Sequence, residues 1–130
     1  MKDIHIVGRI NREIFRAVTE NIVTDEVIIT DVQIEHIKES HPDDYERYFH
    51  FAKEIIENPD YILEANKPNS AVLLKSFAEN GKHYKLILRL KTLSDPADYK
   101  NSIITFQKVE DKRYKRYLRT KKVLYKREYL

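Results

Sequence analysis

The apolar pattern of this chain changes period at Asn58-Pro59-Asp60, and that switch constrains the fold more than any other feature. Before it, apolar residues recur at helical spacing. Ile34, Ile37 and His41 fall on one face of a segment for which Asp31 is the expected cap. Pro42 suits the first turn of a further helix, expected from about Asp43 to Glu57, with Tyr48, Phe51, Ala52, Ile55 and Ile56 as its apolar stripe. After the switch, alternation takes over. Tyr61-Ile62-Leu63, 71–78, 82–91 and 101–109 read as four strands. Lys67-Pro68-Asn69 is a turn, and Asn80-Gly81 supplies two positive-φ positions for a hairpin. Helices followed by an antiparallel meander predict an α+β domain, with N-terminal helices packed on one face of an antiparallel sheet of about four strands.

Shorter signals flank this frame. Residues 3–7 alternate as a short strand, Gly8 permits a bend, and Asn11 suits the cap of a helix through about Val18. Val27-Ile28-Ile29 is a short β-rich run. Tyr114, Tyr117 and Leu118 have helical spacing, and Val123-Leu124-Tyr125 can form a last strand.

The 130 residues fit a single domain over 1–130, and 35% charged against 42% apolar residues is a globular rather than a disordered composition. No apolar run is long enough to span a bilayer and no signal peptide is visible, so no membrane partner is expected. The expected location is the cytoplasm, or that of a delivered effector. The absence of cysteine excludes disulfides, thiolate metal sites and a Cys nucleophile. The five histidines form neither an HExxH nor a His-x-His pair, and no metal or other cofactor is expected.

Charge is unevenly placed. Residues 108–128 hold ten Lys/Arg against three Asp/Glu, a net of +7, whereas residues 1–107 hold 14 against 18, a net of −4. A basic C-terminal segment from about residue 108, set on an acidic body, suits a polyanion, and it equally suits a solvated helix. Within the strands, Tyr84, Leu86, Leu88 and Leu90 share one face. If the apolar faces align on the helices, the other face carries Lys75, Lys85, Arg89, Thr105 and Gln107. Such groups bind phosphate oxygens, although one face of an antiparallel sheet can also simply meet water.

Ile28-Ile29-Thr30-Asp31, His36-Ile37 with His41, Asn58-Pro59-Asp60 and Ile104-Thr105-Phe106 follow one another in an order that resembles the phage-associated branch of the barnase–EndoU–colicin–RelE nuclease superfamily. The likeness covers roughly residues 4–125. It implies a barnase/EndoU/colicin/RelE-like fold and RNA cleavage without a metal, in a toxin or mobile-element effector. RNA is then the expected partner, with a cognate inhibitor protein possible beside it. Metal-free cleavage uses the substrate's 2′-OH as nucleophile and leaves a 2′,3′-cyclic phosphate. It needs proton transfer and cations for the phosphorane charge. His36 or His41 is the expected proton-transfer residue, with His36 preferred. Arg89 and Lys75 would stabilise the phosphorane, and Thr105 would bond a phosphate oxygen. Lys85, Gln107, Lys112 and Arg113 would bind substrate. Tyr114 and Tyr117 could stack on bases. Against this, His41 can serve only to end a helix, His36 can be an ordinary surface residue, and core packing is the favoured reading for both tyrosines. The other reading is a non-catalytic module of phage or mobile-element origin that binds nucleic acid or protein on the same surface.

Overall fold

The computed structural model describes residues 3–130. Its elements are β1 (Ile4–Arg9), α1 (Arg12–Phe15), β2 (Glu26–Thr30), α2 (Asp31–Ser40), α3 (Pro42–Tyr48), a 3₁₀ turn (Phe49–Phe51), α4 (Ala52–Glu57), β3 (Tyr61–Glu64), β4 (Ser70–Phe77), β5 (Lys82–Arg89), β6 (Asn101–Val109), α5 (Asp111–Thr120) and β7 (Val123–Lys126). The expected α+β class holds, but among the described residues the sheet has seven strands rather than about four, in the order β1-β2-β6-β5-β4-β3-β7. The meander β3-β4-β5-β6 is its centre. β7 adds to the β3 edge and β1-β2 adds beyond β6.

The sheet is also mixed. β2 runs parallel to β6, with Val27 opposite Asn101 and Ile28 opposite Ser102. Asn101 makes this junction. It is fully buried, its Nδ2 donates to the carbonyls of Thr24 and Glu26 at 2.7 and 3.0 Å, and its Oδ1 accepts from the N–H of Lys91 at 2.7 Å. One polar side chain thus sews three segments of backbone together, an effect that alternation cannot signal.

Helices α1 to α4 pack on one face. Phe15, Ile37, Ala52, Ile55 and Ile56 meet Val27, Ile29, Leu73, Tyr84, Leu86, Leu88 and Phe106 in the main core. Residues 43–57 do not form one helix. The 3₁₀ turn tightens the chain so that Phe49 and Phe51 both reach the sheet, at 5.4 Å from the Phe106 ring and 4.3 Å from the Phe77 ring. On an ideal α-helix, residues two apart point about 200° from each other, so one of the two would face water. Tyr84 lies at the centre of this aromatic group, and its hydroxyl accepts from Asn80 Nδ2 at 2.9 Å.

Local details also depart from expectation. The cap of α2 is Thr30, whose hydroxyl accepts from the N–H of Gln33 at 3.2 Å, whereas Asp31 bonds His5 Nε2 at 2.6 Å. α1 ends at Phe15, short of Val18. In the β4–β5 turn only Gly81 has a positive φ, 66°, while Asn80 instead caps the turn through Oδ1 to the N–H of Lys82.

α5 lies on the opposite face from the other helices, a correction to the expectation of helices on one side. Tyr114 and its neighbours Tyr117 and Leu118 pack on Leu63, Val72, Leu74 and Val109. Both faces of β4 are therefore buried.

Candidate nucleic-acid cleft

Alternation along β5 sends His83, Lys85, Ile87 and Arg89 to the α5 side of the sheet. Register sets their neighbours. Lys85 lies between Leu74 and Gln107, Ile87 between Val72 and Thr105, and Arg89 between Ser70 and Ser102. A bulge in β6, where the register shifts between Ile87 and Leu88, leaves Ile104 unpaired and 40% exposed.

α5 covers only part of this face. Between its second half, the β3–β4 turn and strands β4 to β6 lies a cavity of about 570 Å³. Val72, Ile87 and Ile104 line it with aliphatic surface, and Lys67, Lys85, Arg89 and Lys121 supply four cations. Tyr117, Asn66 and Ser70 also line it.

Lys85 Nζ donates to the Tyr117 hydroxyl at 3.1 Å, and the Arg113 guanidinium carbon lies 6.0 Å from the Tyr117 ring centre. Burial pushes the Tyr117 phenol up. The Lys85 hydrogen bond, with the charges of Lys85 and Arg113, outweighs it and holds the pKa below its ordinary value of 10. Arg89 is held from behind. Its Nη1 and Nη2 donate to the two oxygens of Asp95 at 3.1 and 2.8 Å, and Nη1 also bonds the Leu90 carbonyl. That bidentate bond from Arg89, with the N–H of Thr92, lowers the Asp95 carboxyl to about 2.

Of the residues expected to bind or transform a substrate, Lys85 and Arg89 line the cavity. Thr105 and Gln107 share its face of the sheet without lining it, and Gln107 is buried. Arg113 stands behind Tyr117, and Lys112 is exposed in the first turn of α5. Lys75 is on the other side. It pairs with Tyr84, is buried, and donates to the Asn58 carbonyl at 2.8 Å and to Asp60 at 3.2 Å. The face assigned to it was wrong because β4 is apolar on both faces, so its alternation does not tell inside from outside.

His36 is exposed on α2, one turn beyond Gln33, and His41 joins α2 to α3 through its N–H to the Ile37 carbonyl at 2.7 Å. Neither imidazole lines the cavity. A different histidine shares the strand face of Lys85. His83 bonds Ser76 Oγ at 2.6 Å and Asp111 at 3.0 Å, and stacks on Tyr114 at 4.1 Å. It ties the first turn of α5 to the β4–β5 hairpin. Among the described residues, no three His, Asp or Glu side chains gather as a metal-binding group. No described helix is long and apolar enough to cross a membrane.

The family model for phage-Barnase-EndoU-ColicinE5/D-RelE like nuclease2, PBECR2, matches residues 2–126. The chain belongs to the PBECR2 family. The match runs from β1 through β7, so the cleft and both edge additions lie within the PBECR2 region. No curated protein and no solved structure gives a match.

Sequence reasoning missed Lys67, Lys121 and Asn66 in this PBECR2 chain, and for Tyr117 it offered base stacking but no contact with Lys85. The helical spacing of Tyr114 and Tyr117 favours core packing over base stacking. The Tyr117 phenol in fact stands at the edge of the α5 contact, where ring packing and a polar tip coexist. Lys67 carried only a turn signal.

Proposed function

We propose that this chain cleaves RNA at the α5-side cleft, by attack of the substrate's 2′-OH on the adjacent phosphorus. The observation that carries the reading is the Lys85–Tyr117 contact inside a cavity with three further cations. Tyr117, as phenolate, takes the 2′-OH proton while the 2′-oxygen bonds to phosphorus. The phosphorus–5′-oxygen bond breaks, and the Lys85 ammonium protonates the leaving oxygen. The products are a 2′,3′-cyclic phosphate and a 5′-hydroxyl. Tyr117 then returns its proton to Lys85 across their shared hydrogen bond, which resets the pair. Arg89, fixed by Asp95, stabilises the charge on the phosphorane. Thr105 and Gln107 support the same face, and Lys112 and Arg113 extend the cationic surface towards a neighbouring phosphate. His36 and His41 have no part in this scheme, because neither lines the cavity. Family membership supports a phage-associated nuclease, and a cognate inhibitor protein would find in the same cleft a ready target.

A second reading, a nucleic-acid-binding module without chemistry, is favoured by one observation. Arg89 already spends its charge on Asp95. End-labelled RNA incubated with the protein in excess EDTA separates the two. Cyclic-phosphate ends that vanish in Tyr117→Phe and Lys85→Met, with the fold intact, support the enzyme. Salt-steep binding with intact RNA supports the module.

A further inference from the structure

We propose that the cavity takes a single unpaired nucleotide, with its base on the Val72–Ile87–Ile104 floor and its edge read by Asn66. The inference rests on the reading of the cleft as an RNA site, and it specifies the RNA: single-stranded at the point of attack, and selected by base.

The lining divides by chemistry. Its floor is aliphatic, and no phosphate gains from contact with Val72, Ile87 or Ile104. Its cations, Lys67, Lys85, Arg89 and Lys121, share the cavity with that floor. A ligand that satisfies both parts has an apolar, flat body with an anionic group attached, and a nucleotide is such a molecule. The volume of about 570 Å³ lies within the usual range for sites that enclose small molecules, and α5 walls one side. A base inside a duplex is stacked and paired, so it reaches such a floor only after leaving the helix.

The β6 bulge is the specific evidence that the floor is made for a ligand. In an unbroken ladder every residue of β6 would oppose one of β5, and Ile104, next to Thr105 opposite Ile87, would oppose Leu88 on the core face. The extra residue breaks this count. It leaves Ile104 unpaired and 40% exposed, lining the cavity, while Ile103 stays in the core. An exposed isoleucine on a cationic surface gains nothing from water, but it gives a base an apolar contact.

Asn66 supplies the reader. Among the described residues its side chain makes no hydrogen bond, and it lines the same cavity from the β3–β4 turn. A free carboxamide offers both donors and an acceptor, the set needed to read a base edge. Lys67 and Lys121 are likewise without a side-chain partner among the described residues, and so are available for the phosphates that flank the base.

The test uses non-cleavable 2′-O-methyl oligonucleotides of each base, single-stranded or sealed in a hairpin stem, with binding read by fluorescence anisotropy. Cleavage is read separately on the corresponding RNA. The slot predicts about tenfold or more weaker binding to the stem than to the single strand. It predicts a similar loss for Ile104→Asp, a surface change that leaves the core in place. Asn66→Asp removes the donors and keeps the acceptors. Preference should therefore move towards guanine, whose N1–H and N2 amino group can both donate to one carboxylate, and away from adenine, cytosine and uracil, which offer one such donor group beside acceptors. Equal binding to paired and unpaired probes, or base preference unmoved by Asn66→Asp, overturns the slot even if cleavage is strong. Selective binding without cleavage keeps the slot and overturns the enzymatic reading.

Discussion

Lys85 on β5 and Tyr117 on α5 are 32 residues apart in the chain, yet the lysine ammonium donates to the phenol oxygen at 3.1 Å. The pairing holds the phenol pKa of a packing tyrosine below its ordinary value. Tyr117→Phe keeps the ring and removes the proton. The expected result is a fall in RNA cleavage of about 100-fold or more with little change in thermal midpoint. In Arg113→Met, which leaves Lys85 in place, the phenol loses a neighbouring charge, so its pKa climbs. The rising limb of the rate–pH profile should then move to higher pH. A limb that stays where it was would remove Tyr117 from the chemistry.

Arg89 and Asp95 give a prediction in acid. The folded-state carboxyl at about 2 lies below its ordinary 3.8, so its contribution to stability is fully present above about pH 4 and is lost as pH falls towards 2. Urea unfolding at pH 7 and at pH 2.5 should show Asp95→Asn less stable than the parent at the first pH, with the gap closing at the second. An undiminished gap at pH 2.5 would mean that the clamp does not act through charge.

Asp60 binds Lys75, the N–H of Ser76 and Arg127 Nε, the last at 3.0 Å, and is almost wholly buried. Its replacement by Ala leaves Lys75 buried without a counter-charge. The expected loss is about 3–5 kcal/mol in denaturant unfolding. Lys75→Met is the companion measurement. It should leave RNA affinity and its salt dependence unaltered, because Lys75 is on the far face of the sheet. A reduced salt slope would contradict that placement.

His83→Ala removes bonds to Ser76 and Asp111 together with the stack on Tyr114. A cost of about 1–2 kcal/mol is expected. Hydrogen exchange should quicken in the first turn of α5, while β6 amides stay protected. Uniform quickening across the sheet would show that His83 supports the whole core rather than the helix.

The parts of the architecture visible from residues alone were those where one periodicity dominates. β5 alternates strictly between core and cleft, and its reading placed Lys85 and Arg89 correctly on one face. β4 offered no such contrast, being buried on both sides, and Lys75 went to the wrong one. The parallel β2–β6 junction depends on the amide of Asn101 meeting backbone from two distant segments. No local pattern reports that. The cleft itself needed α5 on the far face, and helical spacing says which residues share a side of a helix but not which layer receives it.

Because α5 and β7 follow β6 in the chain, an emerging polypeptide acquires the cleft in two stages. Once Val109 is out, the cationic strands exist, but Tyr117 and Lys121 are still missing. The cationic strand face thus precedes its second wall, and the contact between Lys85 and Tyr117 forms only after the helix has been laid down.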